Sequence, residues 1–252
     1  VDPGVITMHT MSLKTSGKIT GLTNPNFDLV IGTNDTSMKG WESLVPSLKE
    51  YEPDGNFTFQ GSMKGTLGDL SANLQFSAPR LAVKVSQATG GGKDATPSKS
   101  VFEFMDMKVQ AEKKNNDIKG SGNLEIKKGV VMAAAFEKMQ AQFDYQNDVL
   151  GIHGFQAHAF QGDISMEGKV KPGKLHWVMK PVITNINMAE VVDTLTQYKG
   201  LFKGIFSGSF TANSAGDDTQ KGAIDASGSF RLDQGEIMNV NLVDTVMDAL
   251  FG

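Results

Sequence analysis

The chain contains four histidines, the side chains best suited to bind a transition metal or to transfer a proton near neutral pH. They are His9, His153, His158 and His176. His153 and His158 are five positions apart, so they would face opposite sides of a regular strand. No third ligand and no helical His-x-x-x-His pair accompanies them, and the 252 residues include no cysteine. We therefore predict neither a metal site nor a thiolate nucleophile.

A glycine-rich segment, Gly90-Gly91-Gly92-Lys93, superficially resembles a phosphate-binding loop. That motif needs a glycine five positions before Gly92 and a serine or threonine after Lys93. The sequence has Gln87 and Asp94 there, and Pro97 opposes the helix that should follow. We predict a mobile hairpin loop near residues 87–100 and no bound cofactor.

Serines and carboxylates are the remaining candidates for catalysis. Ser43 and Ser227 lie in no nucleophile-elbow sequence. Asp217-Asp218 lies in a turn that follows a glycine, where aspartate is favoured for backbone reasons. The paired carboxylates of a glycosidase have to converge from different strands, and no sequence feature indicates such a pair. We predict that the chain is not an enzyme.

Charge and hydropathy restrict the partners of the chain. The net charge is -4 and there is no basic block, so nucleic acid is not an expected partner. The longest apolar run, residues 130–136, has seven residues, whereas a membrane-spanning helix needs roughly 20. The first 20 residues show no apolar core of a signal peptide. The lack of cysteine is typical of a compartment where thiols oxidise, such as a periplasm.

Strict alternation of apolar or glycine residues with polar residues is the strongest structural pattern. It runs from Phe57 to Leu67 and from Phe160 to Val170, and both segments contain Phe-Gln-Gly. Shorter alternating runs cover residues 101–109, 139–145, 204–211 and 226–232. Because successive strand side chains point to opposite faces, each run has one apolar face and one polar face. Turn residues separate the runs, so we predict an all-β fold of long antiparallel strands.

A short sequence motif typical of an amphipathic helix precedes the alternating segments and recurs along the chain. Its copies begin with a capping residue at Ser37, Asn187 and Asn241. Asn187 is predicted to be an N-cap with Glu190 as its capping-box partner. We expect two or three short helices that cap the sheet. We predict either two parts, residues 1–128 and 129–252, or one continuous domain.

The apolar faces of these runs are too large to remain in water. A dozen such side chains would cost roughly 20–35 kcal/mol if exposed, whereas a domain is stable by only ~5–15 kcal/mol. Either a second sheet or helices cover the face, which gives a sandwich, or acyl chains cover it in a groove formed by one curled sheet. The residues that we predict to face lipid are Phe57, Phe59, Met63, Leu67, Phe160, Ile164, Met166, Val170, Phe206 and Phe210.

Six segments of the second half share a degenerate pattern of glycine and apolar spacing. They include Ala159-Phe160-Gln161-Gly162-Asp163 and Phe206-Ser207-Gly208-Ser209-Phe210. The segments cover residues 148–152, 159–168, 186–192, 206–210, 228–237 and 239–243. On these residues, about half of the chain resembles the C-terminal region of the AsmA family of Gram-negative envelope proteins. Residues 20–85 repeat the pattern more faintly.

This resemblance implies a periplasmic protein that is anchored in the inner membrane. It implies a long β groove, related to those of bridge-like lipid transfer proteins, and a role in outer-membrane biogenesis and envelope integrity. The implied partners are phospholipid or another envelope lipid, together with other envelope proteins. The family's N-terminal transmembrane helix is not in this sequence, so we expect a membrane anchor in the full-length protein only. The family offers no catalytic residues.

We therefore expect a non-enzymatic protein that handles lipid through an apolar β groove. The alternative is an envelope interaction scaffold, in which the apolar face is ordinary core and the sheet edges recruit partners by strand addition. A third hypothesis, an enzyme acting on envelope glycans, requires three acidic residues that converge in one cleft.

Overall fold

The alternating segments form long antiparallel strands in a computed structural model of the chain. The structure describes residues 4–8, 11–43, 46–85, 98–131, 133–171, 176–196, 198–214 and 224–237. The strands are β1 (Gly4–Met8), β2 (Met11–Thr20), β3 (Asn26–Thr33), β4 (Thr36–Ser37), β5 (Asp54–Thr66), β6 (Asp69–Val85), β7 (Ser98–Lys114), β8 (Asp117–Val131), β9 (Ala134–Gln146), β10 (Val149–Ala159), β11 (Gly162–Lys171), β12 (His176–Asn187), β13 (Phe202–Ser214) and β14 (Ile224–Ile237). The helices are α1 (Met188–Leu195) and two 3-10 helices, Trp41–Ser43 and Pro46–Glu50. Within these ranges, no helix has both the length and the apolar character that a membrane span requires.

Thirteen strands follow one another in a single antiparallel meander, and the short β4 pairs with β5 outside this path. The sheet is open and curled, with β1 and β14 at its two ends. The predicted all-β architecture of long antiparallel strands in a curled sheet is therefore confirmed. Of the two forms that we considered, the described residues adopt one continuous sheet and not a sandwich.

One row of residues crosses all thirteen strands of the meander in continuous register. It consists of Gly4, Thr15, Ile31, Gly61, Leu74, Val109, Gly122, Phe143, Ile152, Gly168, Met179, Ala212 and Ala226. Apart from Thr15, every member is apolar or glycine. Directly paired residues share one face of a sheet, so we call this side the apolar face. The adjacent row, on the polar face, includes Gln60, Gln75, Lys108, Asn123, Gln142 and His153.

A line of irregular backbone crosses several strands. Phe104, Lys138 and Gly154 have φ angles of 54°, 53° and 56°, in the left-handed region that strands normally avoid. The side-chain alternation reverses at this line, which we call the bulge line. Phe102 and Met105, for example, are three positions apart and pack against the same core cluster. The reversal lets both portions of a long strand turn apolar side chains to the same side.

The two ends of the sheet differ in what connects the strands. Short turns at residues 67–68, 115–116 and 147–148 close one end, which we call the turn end. The 3-10 helices connect β3 and β4 to β5, and α1 connects β12 to β13, at the opposite end. We call this the helical end, and the bulge line lies closer to it. The helical segments therefore cap one end of the sheet.

The predicted N-cap of α1 is confirmed, but its capping box is not. The side-chain oxygen of Asn187 accepts hydrogen bonds from the backbone nitrogens of Ala189 and Glu190, at 3.1 and 3.4 Å. The backbone N–H of Asn187 donates to the carbonyl of Phe160 at 2.9 Å. Glu190 instead accepts a hydrogen bond from the side chain of Gln161 at 3.2 Å. In a capping box, the Asn187 N–H group would donate to the Glu190 carboxylate. Here both groups form hydrogen bonds with the turn between β10 and β11 instead.

Other parts of the predicted organisation have mixed outcomes. The copy of the helix-like motif that begins at Ser37 forms 3-10 helices and not an α-helix, because Gly40 and Pro46 interrupt it. The copy of the motif that begins at Asn241 lies outside the described residues, as do residues 86–97 of the predicted loop. Residues 98–100, which we also assigned to the loop, belong to β7. The boundary between residues 128 and 129 falls inside β8, and the division into two domains stays a prediction.

Candidate functional site

The buried core is concentrated near the helical end of the sheet. The apolar side chains that are buried within the described ranges are Phe57, Ala78, Ala82, Ile126, Phe136, Ala157, Ala159, Ile186 and Val192. They lie close to the bulge line or between it and the helical end. Ile126, Phe136 and Ala159 form one cluster, and Val192 comes from α1. The stable packing of the molecule is therefore local to this end.

Seven of the ten residues predicted to face lipid lie on the apolar face. They are Phe59, Met63, Ile164, Met166, Val170, Phe206 and Phe210. Each is an even number of positions from the member of its own strand in the thirteen-strand row. All seven are half-buried, so they are neither sealed in a core nor fully open to water. That they face lipid stays a prediction.

The other three predicted residues have different surroundings. Phe57 is 2% exposed, and its ring stacks on Phe76 and meets Trp41 edge-on, both at 5.1 Å between centroids. Leu67 lies in the turn after β5 and is 59% exposed. Phe160 lies in the turn between β10 and β11 and packs against the core cluster. The alternation of apolar and polar residues thus continues into the turns that contain Leu67 and Phe160, although the strands end before these turns.

Between the bulge line and the turn end, no described helix or second sheet lies over the apolar face. Helix α1 contacts β13, β12 and β9, and the described strands all belong to one sheet. Leu29, Leu74 and Val109 are accordingly half-buried and not buried. This part of the apolar face therefore lacks an intramolecular cover in the described structure.

Large side chains lie flat over glycines of the neighbouring strand on this face. A β-carbon at Gly228 would be 2.6 Å from Cδ1 of Phe210, and one at Gly61 would be 2.8 Å from Cδ2 of Leu74. Such distances leave no room for a side chain at either glycine. The arrangement spreads a thin apolar layer over the backbone, which explains why these residues are half-buried without a second layer.

An aromatic group continues the apolar face to the last strand. The rings of Phe206 and Phe210 are 6.2 Å apart with an interplanar angle of 5°, and those of Phe206 and Phe230 are 5.7 Å apart. Offset rings at such distances attract one another beyond their buried area. Phe230 is nevertheless 69% exposed. The apolar surface thus reaches the edge of the sheet.

The polar face carries hydrogen-bonded side chains and shallow depressions. Asp106 accepts hydrogen bonds from Ser77 at 2.5 Å and from Gln75 at 3.1 Å. An open depression of about 600 Å³ has a lining that includes Lys14, Gln75 and Lys108. No carboxylate or imidazole group lines this depression, so it offers no acid–base pair.

Two histidines pair with carboxylates on the polar face. His153 contacts Asp144, and Nδ1 of His158 lies 2.9 Å from Oδ1 of Asp163. The expectation that the two imidazoles point to opposite faces is wrong, because the register shift at Gly154 reverses the alternation between them. All four side chains are about half exposed or more.

Within the described ranges, no three histidine or carboxylate side chains converge to hold a metal ion. His9, the glycine-rich segment around Gly91 and Asp217-Asp218 lie outside these ranges. The predictions of no metal, no cofactor and no catalysis stay predictions.

In the part of the chain that the structure describes, three exposed groups have perturbed pKa values, each explained by a hydrogen-bonded neighbour. The Lys84 ammonium group lowers the pKa of Glu52, and the Glu103 carboxylate raises the pKa of Lys128. The hydrogen bond from the Tyr145 hydroxyl to Asp148, 3.0 Å long, raises the pKa of Tyr145. These are surface pairs between adjacent segments and not parts of a cleft.

Several strands that contribute to the apolar face were not among the alternating runs that we identified in the sequence, and β6 and β3 are two examples. In β6, residues 69–76 alternate strictly, and this signal was present in the sequence. In β3, Phe27, Leu29 and Ile31 alternate, but the exposed Val30 between them hides the pattern.

The apolar face presents half-buried aliphatic and aromatic side chains, and the described polar face presents hydrogen-bonding side chains that include two histidine–carboxylate pairs. No protein-family model, curated protein or solved structure matches this chain.

Proposed function

We propose that the chain binds lipid, without catalysis, on the apolar face of its curled sheet. The observation that carries the proposal is the apolar row that crosses all thirteen strands of the meander, next to side chains that are half-buried and have no described cover. An enclosed core would bury these side chains, and an ordinary solvated face would carry polar ones.

The dimensions of the row suit acyl chains. Adjacent strands are ~4.8 Å apart, so twelve spacings extend about 58 Å along the sheet. One leaflet of a bilayer provides about 15 Å of hydrocarbon. More than one acyl chain therefore fits along the row.

The driving force is the hydrophobic effect, which contributes ≈ 0.8 kcal/mol for each methylene removed from water. Because this force is non-directional, we expect little selectivity among acyl chains. Selectivity for a head group would require polar residues at the rim of the face.

The resemblance to the AsmA family supplies the biological setting of the proposal. In that setting the protein lies in the periplasm of a Gram-negative bacterium and is anchored in the inner membrane in its full-length form. Phospholipid or another envelope lipid is its ligand, other envelope proteins are its further partners, and outer-membrane biogenesis is the process that it serves.

The decisive experiment uses neighbouring residues on opposite faces of one strand. Met166→Glu places a charge on the apolar face, and Ser165→Glu places the same charge on the polar face. Met63→Glu and Ser62→Glu form a second matched pair on β5. Binding is measured with a fluorescent phospholipid carried in vesicles of phosphatidylethanolamine and phosphatidylglycerol. We expect each methionine variant to weaken binding at least tenfold and each serine variant to leave it nearly unchanged.

Circular dichroism checks that each variant is folded, and Met166→Gln is a milder change at the same site. Equal binding by the methionine and serine variants would contradict the proposal. So would the absence of phospholipid binding by the folded parent protein. The second result would favour the interaction scaffold, for which the free edges of the sheet are the supporting observation.

A further inference from the structure

Strand β14 is an edge strand whose outer side has no partner in the described structure. It is the last strand of the sheet, paired with β13 alone. Natural edge strands are usually blocked by lysine, proline or a bulge, because their free N–H and C=O groups recruit other strands. Residues 224–232 contain neither lysine nor proline, and the first left-handed residue of β14 is Gln234, with φ 52°. Among the described residues, none pairs with the outer side of these nine consecutive residues.

The side chains of this segment are also uncovered. Ile224, Phe230 and Leu232 are 65%, 69% and 45% exposed. They lie on the apolar face, because each pairs with a residue of β13 that is an even number of positions from Ala212. Ala212 belongs to the apolar row, and the three partners are Ser214, Gly208 and Phe206. An exposed apolar edge of this kind is a site where further strands are expected to add.

We propose that β14 pairs antiparallel with β14 of a second copy of this chain, about a twofold axis at Gly228. Such an interface is isologous, since the same strand contributes from both copies. The proposal does not rest on lipid binding.

The sequence of β14 is complementary to itself in this register. With Gly228 on the axis, Ile224 of one copy lies opposite Leu232 of the other, and Ala226 lies opposite Phe230. Each exposed apolar side chain of the edge thus gains an apolar neighbour across the interface. A slip by one residue would place the second copy's apolar residues on the polar face.

Charge favours this register over the alternatives with the axis at Ser229 or at Arg231. With the axis at Gly228, Asp225 of each copy lies opposite Arg231 of the other, which gives two ion pairs on the polar face. With the axis at Ser229, Asp225 would lie opposite Asp233, and with the axis at Arg231 this arginine would lie opposite itself. Like charges in direct cross-strand positions are destabilising. Within one chain, Nε of Arg231 already lies 2.8 Å from Oδ2 of Asp233, which holds the guanidinium group on the polar face.

Pairing in this way would join the two apolar faces into one surface that is twice as wide. The aromatic group of Phe206, Phe210 and Phe230 would then lie near its centre instead of at its edge.

Sedimentation velocity over a range of protein concentrations tests the proposal. The chain has a mass of 27.1 kDa, so we expect a reversible species of about 54 kDa that gains population with concentration. In the Asp225→Arg variant, two arginines face each other at both symmetry-related positions of the interface. In the Arg231→Asp variant, two aspartates face each other at the same two positions. Each change should raise the dissociation constant of the dimer about tenfold. The combined variant Asp225→Arg/Arg231→Asp restores opposite charges and should return the constant to near that of the parent.

Glu167→Arg on the interior strand β11 is the control, because it makes an equivalent charge change away from the edge. It should leave the dissociation constant unchanged. A protein that stays monomeric at all concentrations would overturn the proposal. A dimer that responds to neither single charge change, or one that the combined variant does not restore, would also overturn it, because its interface would then lie elsewhere.

Discussion

The ring of Phe143 occupies the space above Gly122, its direct partner across β8 and β9. A β-carbon at Gly122 would lie 2.5 Å from Cζ of Phe143, closer than real side-chain atoms approach. Both residues belong to the row that crosses the whole sheet. Phe143 can lie flat against the sheet because Gly122 has no side chain. This pairing of glycine with a large residue allows a single layer to shield its own backbone.

The first prediction concerns the change Gly122→Ala. The added methyl group would clash with the backbone oxygen of Lys108 on one neighbouring strand and with the ring of Phe143 on the other, so we expect the free energy of unfolding to fall by about 1–3 kcal/mol. Urea denaturation monitored by circular dichroism measures it.

Gly68→Ala provides the control for this change. Gly68 lies in the turn between β5 and β6, and a β-carbon there would meet no atom within 4 Å. We expect the unfolding free energy to change by less than about 0.5 kcal/mol. Equal effects at the two glycines would contradict this prediction, because they would show that the sheet accommodates a methyl group at Gly122.

The period-two alternation predicted much of the fold because it records a physical requirement. Residues such as Met63 and Met166 must turn to one face if a strand is to have one apolar side. The same argument placed seven of the ten candidate residues on the apolar face. The argument wrongly included Leu67 and Phe160 in strands, although both lie in turns. Alternation alone does not show where the hydrogen bonding between strands ends.

The bulge line could not be predicted in the same way. Left-handed backbone usually indicates glycine or asparagine, but here Phe104 and Lys138 adopt it. At Lys138 this conformation coincides with a shift of register between β9 and β10, which is a property of the paired strands and not of a local segment. For the same reason, the sequence did not reveal that the buried core is concentrated at the helical end.

The second prediction follows from the backbone of Lys138. Its φ of 53° costs a residue with a β-carbon about 1–2 kcal/mol, and its side chain is exposed. Lys138→Gly removes this cost, although glycine has a more disordered unfolded state. We expect the net stability to rise by about 0.5–1 kcal/mol, measured by urea denaturation.

Glu125→Gly is the matched control for Lys138→Gly. Glu125 is exposed on the neighbouring strand β8, and it does not belong to the residues with left-handed backbone. Glycine in a regular strand should reduce stability by roughly 0.5–1 kcal/mol. The opposite signs of the two changes are the test, and a loss of stability at both positions would contradict the strain at Lys138.

The third prediction concerns the stability of the molecule in acid. Nζ of Lys84 lies 2.6 Å from Oε1 of Glu52, and this ammonium group lowers the pKa of Glu52 below its ordinary value. The backbone N–H of Lys84 also donates to the carbonyl of Tyr51 at 2.7 Å. The ion pair therefore reinforces the attachment of the segment before β5 to strand β6.

Because the pKa of Glu52 is lowered in the folded state, its stabilising effect is complete above the unfolded-state pKa. The effect is lost as the pH falls through the lower, folded-state pKa. Glu52→Gln removes this contribution at every pH. We therefore expect the urea midpoints of the parent and the variant to differ most near pH 6 and to converge toward pH 3. Glu42→Gln changes the same charge at a residue that forms no ion pair in the described structure, so its difference from the parent should stay small throughout. A Glu52→Gln difference that does not shrink in acid would show that the Lys84 ion pair is not its source.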